Sequence, residues 1–152
     1  MYGNDGRNHG MAKENDARAV FVGPMRFDVT SGSGHTIALD VNASDGGEDS
    51  APTPMELLLM GLAGCTGMDV VSILRKKRQQ VSGYEIRVHG VRAEDYPQVF
   101  LDITVEHIIT GHAVSEAAVK RAIELSETRY CGVGATLEKT AKLTSVYRII
   151  EG

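Results

Sequence analysis

The residues best suited to chemistry are two cysteines, Cys65 and Cys131, which lie 66 positions apart. Cys65 interrupts an apolar helical pattern among small residues, and Cys131 follows directly on an amphipathic one. A thiolate is a nucleophile, and two thiols that meet can exchange electrons through a disulfide. In a reducing compartment, such a pair is more typical of free thiols or a transient redox couple than of a structural disulfide. The pair therefore predicts thiol redox chemistry. The alternative is that Cys65 is only a small buried apolar residue, as free cysteines often are.

The segment that carries Cys65 has a clear helix start. Thr53 is a good N-cap, Pro54 suits the first helical position, and Glu56 stands where a capping box needs a carboxylate. From Met55 to Leu74 the apolar residues lie almost all round the helix. Such a helix is predicted to be deeply buried.

Two glycines, Gly61 and Gly64, suggest a break just before Cys65. Thr66 is suited to cap a second helical segment, with Asp69 in its first turn. Cys65 would then lie beside the exposed N–H groups at a positive helix end, which favours the thiolate. The sequence thus allows either one continuous helix or a kinked pair of helices with Cys65 at the kink.

The remaining pattern predicts an α+β fold. Two long strands with period-two alternation are predicted through Tyr84–His89 and Val99–Ile109. The other predicted elements are three short strands, two helices and a last strand: 17–22, 25–30, 35–41, 115–128 (with Ser115 as N-cap), 132–139 and 143–150. A helix as apolar as the first needs more cover than one small sheet provides, which favours a homodimer.

Composition limits the classes of function. With 42% hydrophobic and 24% charged residues, the chain is typical of a globular domain. We expect a disordered tail at residues 1–14 and one domain at 15–152. A net charge of −4 argues against a nucleic-acid partner. Without an 18-residue apolar run or an apolar leader at the start, we expect no membrane partner and a cytoplasmic location.

The histidines could suggest a metal site. His35, His89, His107 and His112 are scattered over predicted strands and loops, without the close spacing of common zinc motifs. We therefore expect no metal.

Three short motifs point to a known family. Pro54-Met55-Glu56-Leu57-Leu58-Leu59, then Ala63-Gly64-Cys65, then Tyr130-Cys131 resemble the OsmC/Ohr family, and Met60–Arg78 looks closest to its YhfA-like branch. The resemblance implies an OsmC-like fold, with antiparallel sheets around a buried central helix in an intertwined homodimer. It also implies a thiol-dependent peroxidase that reduces organic hydroperoxides. Cys65 would be peroxidatic and Cys131 would resolve it as a disulfide, with a dithiol reductant and no cofactor.

One position departs from the family pattern. The peroxidase branches have a glutamate directly after the proline, where this chain has Met55, and Glu56 follows one position later. The resemblance implies catalytic roles for Glu56 and for Arg26, on the early strands. Capping alone would also explain Glu56, and Arg26 could simply face water. The alternative functions are a non-catalytic protein that binds a small apolar ligand at the dimer interface, or a thiol redox sensor.

Overall fold

The computed structural model of the protein describes residues 13–152. The tail expected at residues 1–14 therefore lies almost entirely outside the described residues. The described chain forms two units, which divide between Pro54 and Met55.

The first unit is a small antiparallel sheet. Its strands are β1 (Ala17–Phe21), β2 (Phe27–Ser31) and β3 (Thr36–Leu39), hydrogen-bonded in that order. All three lie within the predicted strands, apart from one residue at the end of β2. Gly23 and Gly34 stand in the turns between them with positive φ angles of 78° and 91°, which a side chain would disfavour. The predicted strand bounds depend on turn residues such as these glycines.

A buried carboxylate organises the loop that follows β3. Asp40 is only 1% exposed. It accepts hydrogen bonds from the backbone N–H groups of Val41, Glu48 and Ser50 and from the Ser50 hydroxyl. These bonds, led by the one from the Ser50 side chain, lower the pKa of Asp40 to about 2. The loop is therefore closed around an ionised carboxylate.

The second unit consists of helices packed on a three-stranded sheet. Helix α1 (Pro54–Lys76) leads into β4 (Gln80–Arg92) and β5 (Phe100–His112), which pair antiparallel. Helix α2 (Glu116–Leu125), a π-helical turn (Ser126–Tyr130) and helix α3 (Gly132–Leu137) then lead to β6 (Lys142–Glu151). The predicted α+β class is confirmed.

The sheet order is β4-β5-β6, with β5 central. The family resemblance implied antiparallel sheets, but β6 pairs parallel to β5. A parallel pair needs a crossover connection, and α2, the π-turn and α3 provide it. Three consecutive residues near the centre of β5 are buried, namely His107, Ile108 and Ile109.

Helix α1 contributes to two hydrophobic clusters. In the first cluster, Val70 and Leu74 pack with Ile109 of β5 and with apolar residues of α2. In the second, Leu62 packs with Cys131 and with β5 residues Phe100, Ile103 and Val105. The fully buried positions of α1 recur every four residues, at Leu62, Thr66, Val70 and Leu74. One stripe of α1 is therefore buried in the unit, as the helical period requires.

Of the two alternatives, the structure shows the continuous helix, because α1 runs without interruption from Pro54 to Lys76. At least one glycine of α1 allows close packing against the sheet. A Cβ atom on Gly67 would lie 2.7 Å from Ile86 Cδ1, so the missing side chain lets α1 approach β4 closely. By length and composition alone, α1 could also cross a membrane. The core helices of globular proteins share that property, and α1 buries one stripe here.

His107 of β5 is a fully buried titratable group, with 0% exposure. Its Nδ1 lies 2.6 Å from the Tyr84 hydroxyl oxygen, a hydrogen bond. Its Nε2 atom is buried and has no hydrogen-bond partner within the described chain. Burial lowers the pKa of His107 to about 4, because the protonated ring would lose its hydration.

Protonation of His107 should therefore oppose folding at mildly acid pH. The folded-state pKa is below that of a free histidine, so between about pH 6.5 and 4 the unfolded chain binds more protons. We expect the free energy of unfolding to fall by up to about 3 kcal/mol from this group as the pH drops through that window. His107→Gln, which keeps a partner for Tyr84 but does not titrate, should flatten the pH dependence in urea unfolding. His89→Gln, an exposed histidine on β4, is the matched control. An equally steep profile in His107→Gln would contradict the assignment.

Candidate functional site

The fold brings together the two cysteines that the sequence singled out. One sulfur atom comes from Cys65 on α1 and the other from Cys131, which follows the π-turn. These sulfur atoms and a carboxylate oxygen of Asp69 all lie within 4.8 Å of one another. Both thiols are free. We call these three residues the thiol site.

Cys131 is the more buried thiol, at 4% exposure. It is the N-cap of α3, and its sulfur accepts a hydrogen bond from the Gly134 N–H at 3.2 Å. That bond favours the thiolate, but burial acts more strongly in the opposite direction. Burial, with the nearby Cys65 thiol adding to it, raises the pKa of Cys131 to about 11. At neutral pH Cys131 is therefore a protonated thiol.

Cys65 is half-buried and packs against the second cluster. Because α1 is continuous, Cys65 lies in mid-helix and not at a helix N-terminus. The predicted interaction with exposed helical N–H groups is therefore wrong. Thr66, expected to cap a second segment, instead shares a hydrogen bond with the Ser126 hydroxyl at 3.1 Å.

Asp69 follows Cys65 by one helical turn, so both side chains point to the same side of α1. The Ser126 hydroxyl donates to Asp69 Oδ2 at 2.9 Å. Ser126 itself is fully buried at the start of the π-turn. A chain of hydroxyl groups from Thr66 through Ser126 thus orients the carboxylate beside the two thiols.

A cavity of about 520 Å³ opens beside Cys131. Such a volume lies in the range of small-molecule sites. Its walls combine apolar side chains of α1 and the sheet with residues of the π-turn, including Leu62, Val105, Leu143, Ser126 and Tyr130. Cys131 and Gly134 form part of the wall, so the cavity reaches the thiol site from the side of the buried thiol.

Glu56 and Arg26 are the other predicted site residues. Glu56 is exposed in the first turn of α1, more than two turns before Cys65 and hence ~13 Å away along the helix axis. Arg26 precedes β2 in the first unit. Its guanidinium lies 3.6 Å from Asp28 and 3.5 Å from the Ser50 hydroxyl. Arg129, two residues before Cys131, is exposed and lies over the Tyr130 ring at 5.4 Å.

Asp69 and Ser126 were not predicted as site residues. The spacing of Cys65 and Asp69, four positions apart on a helix, is a signal that could have placed the carboxylate beside the thiol. No comparable signal marks Ser126, whose contact with Asp69 spans 57 positions of sequence.

Comparison with known proteins agrees with the fold. The model of the OsmC-like protein family matches residues 47–146. Protein YhfA of Escherichia coli strain K12 is 41% identical over 134 residues, which cover 88% of this chain and 97% of YhfA. A hypothetical protein from Aquifex aeolicus VF5 superposes with a TM-score of 0.81 at 28% identity, over 93% of this chain and 99% of that one.

A more distant likeness concerns the fold alone. The organic hydroperoxide resistance protein OsmC from Legionella pneumophila has a TM-score of 0.68 at 14% identity, over 89% of this chain and 96% of that one. The family model spans about two thirds of the chain, and YhfA is 41% identical over most of it. The chain therefore belongs to the OsmC/Ohr family, in its YhfA-like branch.

Proposed function

We propose that the protein is a thiol-dependent peroxidase that reduces organic hydroperoxides. The main support for this proposal is that the Cys65 and Cys131 sulfur atoms lie within 4.8 Å of each other in one chain. In the proposed cycle, the Cys65 thiolate attacks the outer peroxide oxygen, which yields a Cys65 sulfenic acid and releases the alcohol. Cys131 then attacks the sulfenic sulfur, so a disulfide forms and water leaves. A dithiol reductant returns both cysteines to thiols and becomes a disulfide itself.

The different environments of the two thiols support these roles. Cys65 is half-buried and so the more accessible to a peroxide, whereas Cys131 is almost fully buried. A thiol with a pKa of about 11 is a poor first nucleophile. Asp69 lies within reach of Cys131, and its carboxylate is suited to receive the proton when Cys131 attacks. Neighbours of similar fold are named organic hydroperoxide resistance proteins, which agrees with the substrate class.

Glu56 and Arg26 retain proposed supporting roles. Arg26 would contribute a permanent positive charge and Glu56 would orient it, as the family resemblance implies. Met55, at the usual glutamate position, packs its side chain against the cluster that contains Cys131. In this chain, Asp69 provides a carboxylate oxygen within 4.8 Å of both sulfur atoms.

The test is hydroperoxide consumption by the reduced full chain. An alkyl hydroperoxide with a dithiol donor should be consumed over many turnovers. One equivalent of peroxide without donor should join Cys65 to Cys131 within a single chain, as seen by peptide mass spectrometry. Hydrogen peroxide at the same concentration serves as the comparison substrate and should react more slowly. Thiols that stay reduced after one equivalent of alkyl hydroperoxide would refute the proposal.

We also propose that the protein is a homodimer that pairs through α1. Only 22% of the most apolar part of this helix is buried in the single chain. Leu58, Met60 and Met68 are 42%, 53% and 76% exposed on it. A second copy of the same helix would cover this apolar surface.

A second candidate function is the binding of a small, partly apolar ligand without catalysis. The cavity of about 520 Å³ favours it. The cavity lies within the second unit of one chain, so the ligand would not depend on a dimer interface. A ligand-bound protein whose thiols do not react with hydroperoxide would select this candidate.

A further inference from the structure

We propose that the reduced thiol site, formed by Cys65, Asp69 and Cys131, binds one thiophilic divalent cation of the zinc class. The donors would be the two sulfur atoms and one Asp69 oxygen, with a fourth position open to water. This binding does not require peroxidase activity. It needs the same two thiols in their reduced form.

The inference rests on the distances between the three ligand atoms. A tetrahedral zinc ion lies about 2.3 Å from sulfur and about 2.1 Å from carboxylate oxygen. Its ligand atoms are then about 3.5–3.8 Å apart. The three donors here already lie within 4.8 Å of one another, so small side-chain rotations suffice to close the site.

The charge at the site also favours a cation. Asp69 is half-buried, and none of the lysines, arginines and histidines in residues 13–152 forms an ion pair with its carboxylate. Lys76 and Lys77 line the same 310 Å³ depression as Asp69 but do not pair with it. When Cys65 and Cys131 lose their protons to bind a metal, three negatively charged ligand groups meet at the site. A divalent ion removes most of that repulsion.

Asp69 accepts a hydrogen bond of the kind that usually orients metal ligands. The Ser126 hydroxyl donates to Oδ2, which fixes the carboxylate plane, and Thr66 in turn contacts Ser126. Outer hydrogen bonds of this kind orient ligands and increase metal affinity. Two sulfur ligands select zinc-class ions over Mg²⁺ or Ca²⁺, which prefer oxygen.

Binding exchanges protons for the metal and involves no electron transfer. The two thiols lose their protons, two S–metal bonds and one O–metal bond form, and up to two protons enter the solvent. Cys131 is protonated at neutral pH, so at least one proton should leave per ion. A Cys65–Cys131 disulfide has no thiolate to offer, so oxidation should abolish binding.

The experiment uses the full chain, reduced, free of metal and kept without oxygen. Zn²⁺ is titrated in competition with a chromophoric chelator, and Co²⁺ is added separately as a spectroscopic probe. We expect one ion per chain, and with Co²⁺ a thiolate charge-transfer band and the visible bands of tetrahedral cobalt. Cys65→Ser and Cys131→Ser should each weaken Zn²⁺ binding at least a hundredfold, and Asp69→Asn at least tenfold.

Asp102→Asn is the matched control for Asp69→Asn. Asp102 is exposed on β5 beside Ile103, whose side chain packs with Cys131. Neighbouring strand residues point to opposite faces, so Asp102 points away from the site and its replacement should leave Zn²⁺ affinity unchanged. X-ray absorption of the wild-type zinc form provides a measurement that needs no variant, and should give two sulfur and two oxygen neighbours.

Three results would each overturn the metal site: no thiolate–cobalt band, equal Zn²⁺ affinity in Asp69→Asn and wild type, or a zinc shell of four sulfur atoms. These outcomes are separate from the peroxidase test. A chain that consumes hydroperoxide without binding Zn²⁺ refutes only the metal site. One that binds Zn²⁺ without consuming hydroperoxide refutes only the proposed peroxidase.

Discussion

Cys65→Ser is expected to reduce hydroperoxide consumption to the uncatalysed rate, whereas Cys131→Ser should permit one reaction per chain and then stop. A serine hydroxyl at position 65 is not ionised at neutral pH and cannot replace the thiolate as nucleophile. With serine at 131, Cys65 can still attack once. Its sulfenic acid then has no nearby thiol and should oxidise further to the sulfinic acid under excess peroxide.

The Cys131→Ser variant is a sharp test because the fold should tolerate it. Cys131 caps α3 by accepting the Gly134 N–H, and serine is among the best N-cap residues. Thermal unfolding should therefore change little. Stopped-flow consumption at substoichiometric peroxide, followed by mass spectrometry of the Cys65 peptide, measures both expectations. Sustained turnover by Cys131→Ser with the dithiol donor would show that Cys131 is not required for resolution.

Met68→Glu is expected to convert the proposed dimer into a monomer. Met68 is 76% exposed in the single chain, near the middle of α1. In a symmetric interface, each copy would bury a carboxylate where an apolar side chain packs, which places like charges close together. We expect the dissociation constant to rise at least a hundredfold, because burial of unpaired charge costs several kcal/mol.

Sedimentation over micromolar concentrations measures this change. Tyr96→Glu is the control, because Tyr96 is 89% exposed in the connection between β4 and β5 and is not part of α1. It should leave the assembly intact. A wild-type chain that sediments as a monomer at these concentrations, or equal dissociation in both variants, would refute pairing through α1.

The helix starts could be predicted from sequence because their signals are local. Pro54 begins α1 as predicted, and Ser115 caps α2 with its side chain on the Ala118 N–H. The end of α2 was less predictable. The helix was expected to continue to residue 128, but it widens into a π-turn at Ser126. The Cys131 N–H then bonds the Ser126 carbonyl at 2.8 Å, a local geometry that residue propensities do not encode.

The supposed break at Gly61 and Gly64 shows why local signals can mislead. Each glycine costs about 1 kcal/mol in a helix, but packing of the stripe from Leu62 to Leu74 outweighs that cost. For the site, sequence and family resemblance suggested the two cysteines. They could not identify Ser126 as the partner of Asp69, because that contact depends on how α1 and the π-turn meet in three dimensions.

The position of Cys131 as the cap of α3 has a consequence for its electron chemistry. The sulfur that accepts the Gly134 N–H is also the atom that would bond to Cys65. If the sulfur leaves Gly134 to reach Cys65, the oxidised state loses a capping bond worth about 1 kcal/mol. For a two-electron couple, that loss raises the reduction potential by about 20 mV, which favours the dithiol. Through this one bond, the stability of a short helix would contribute to how readily the thiol pair is oxidised.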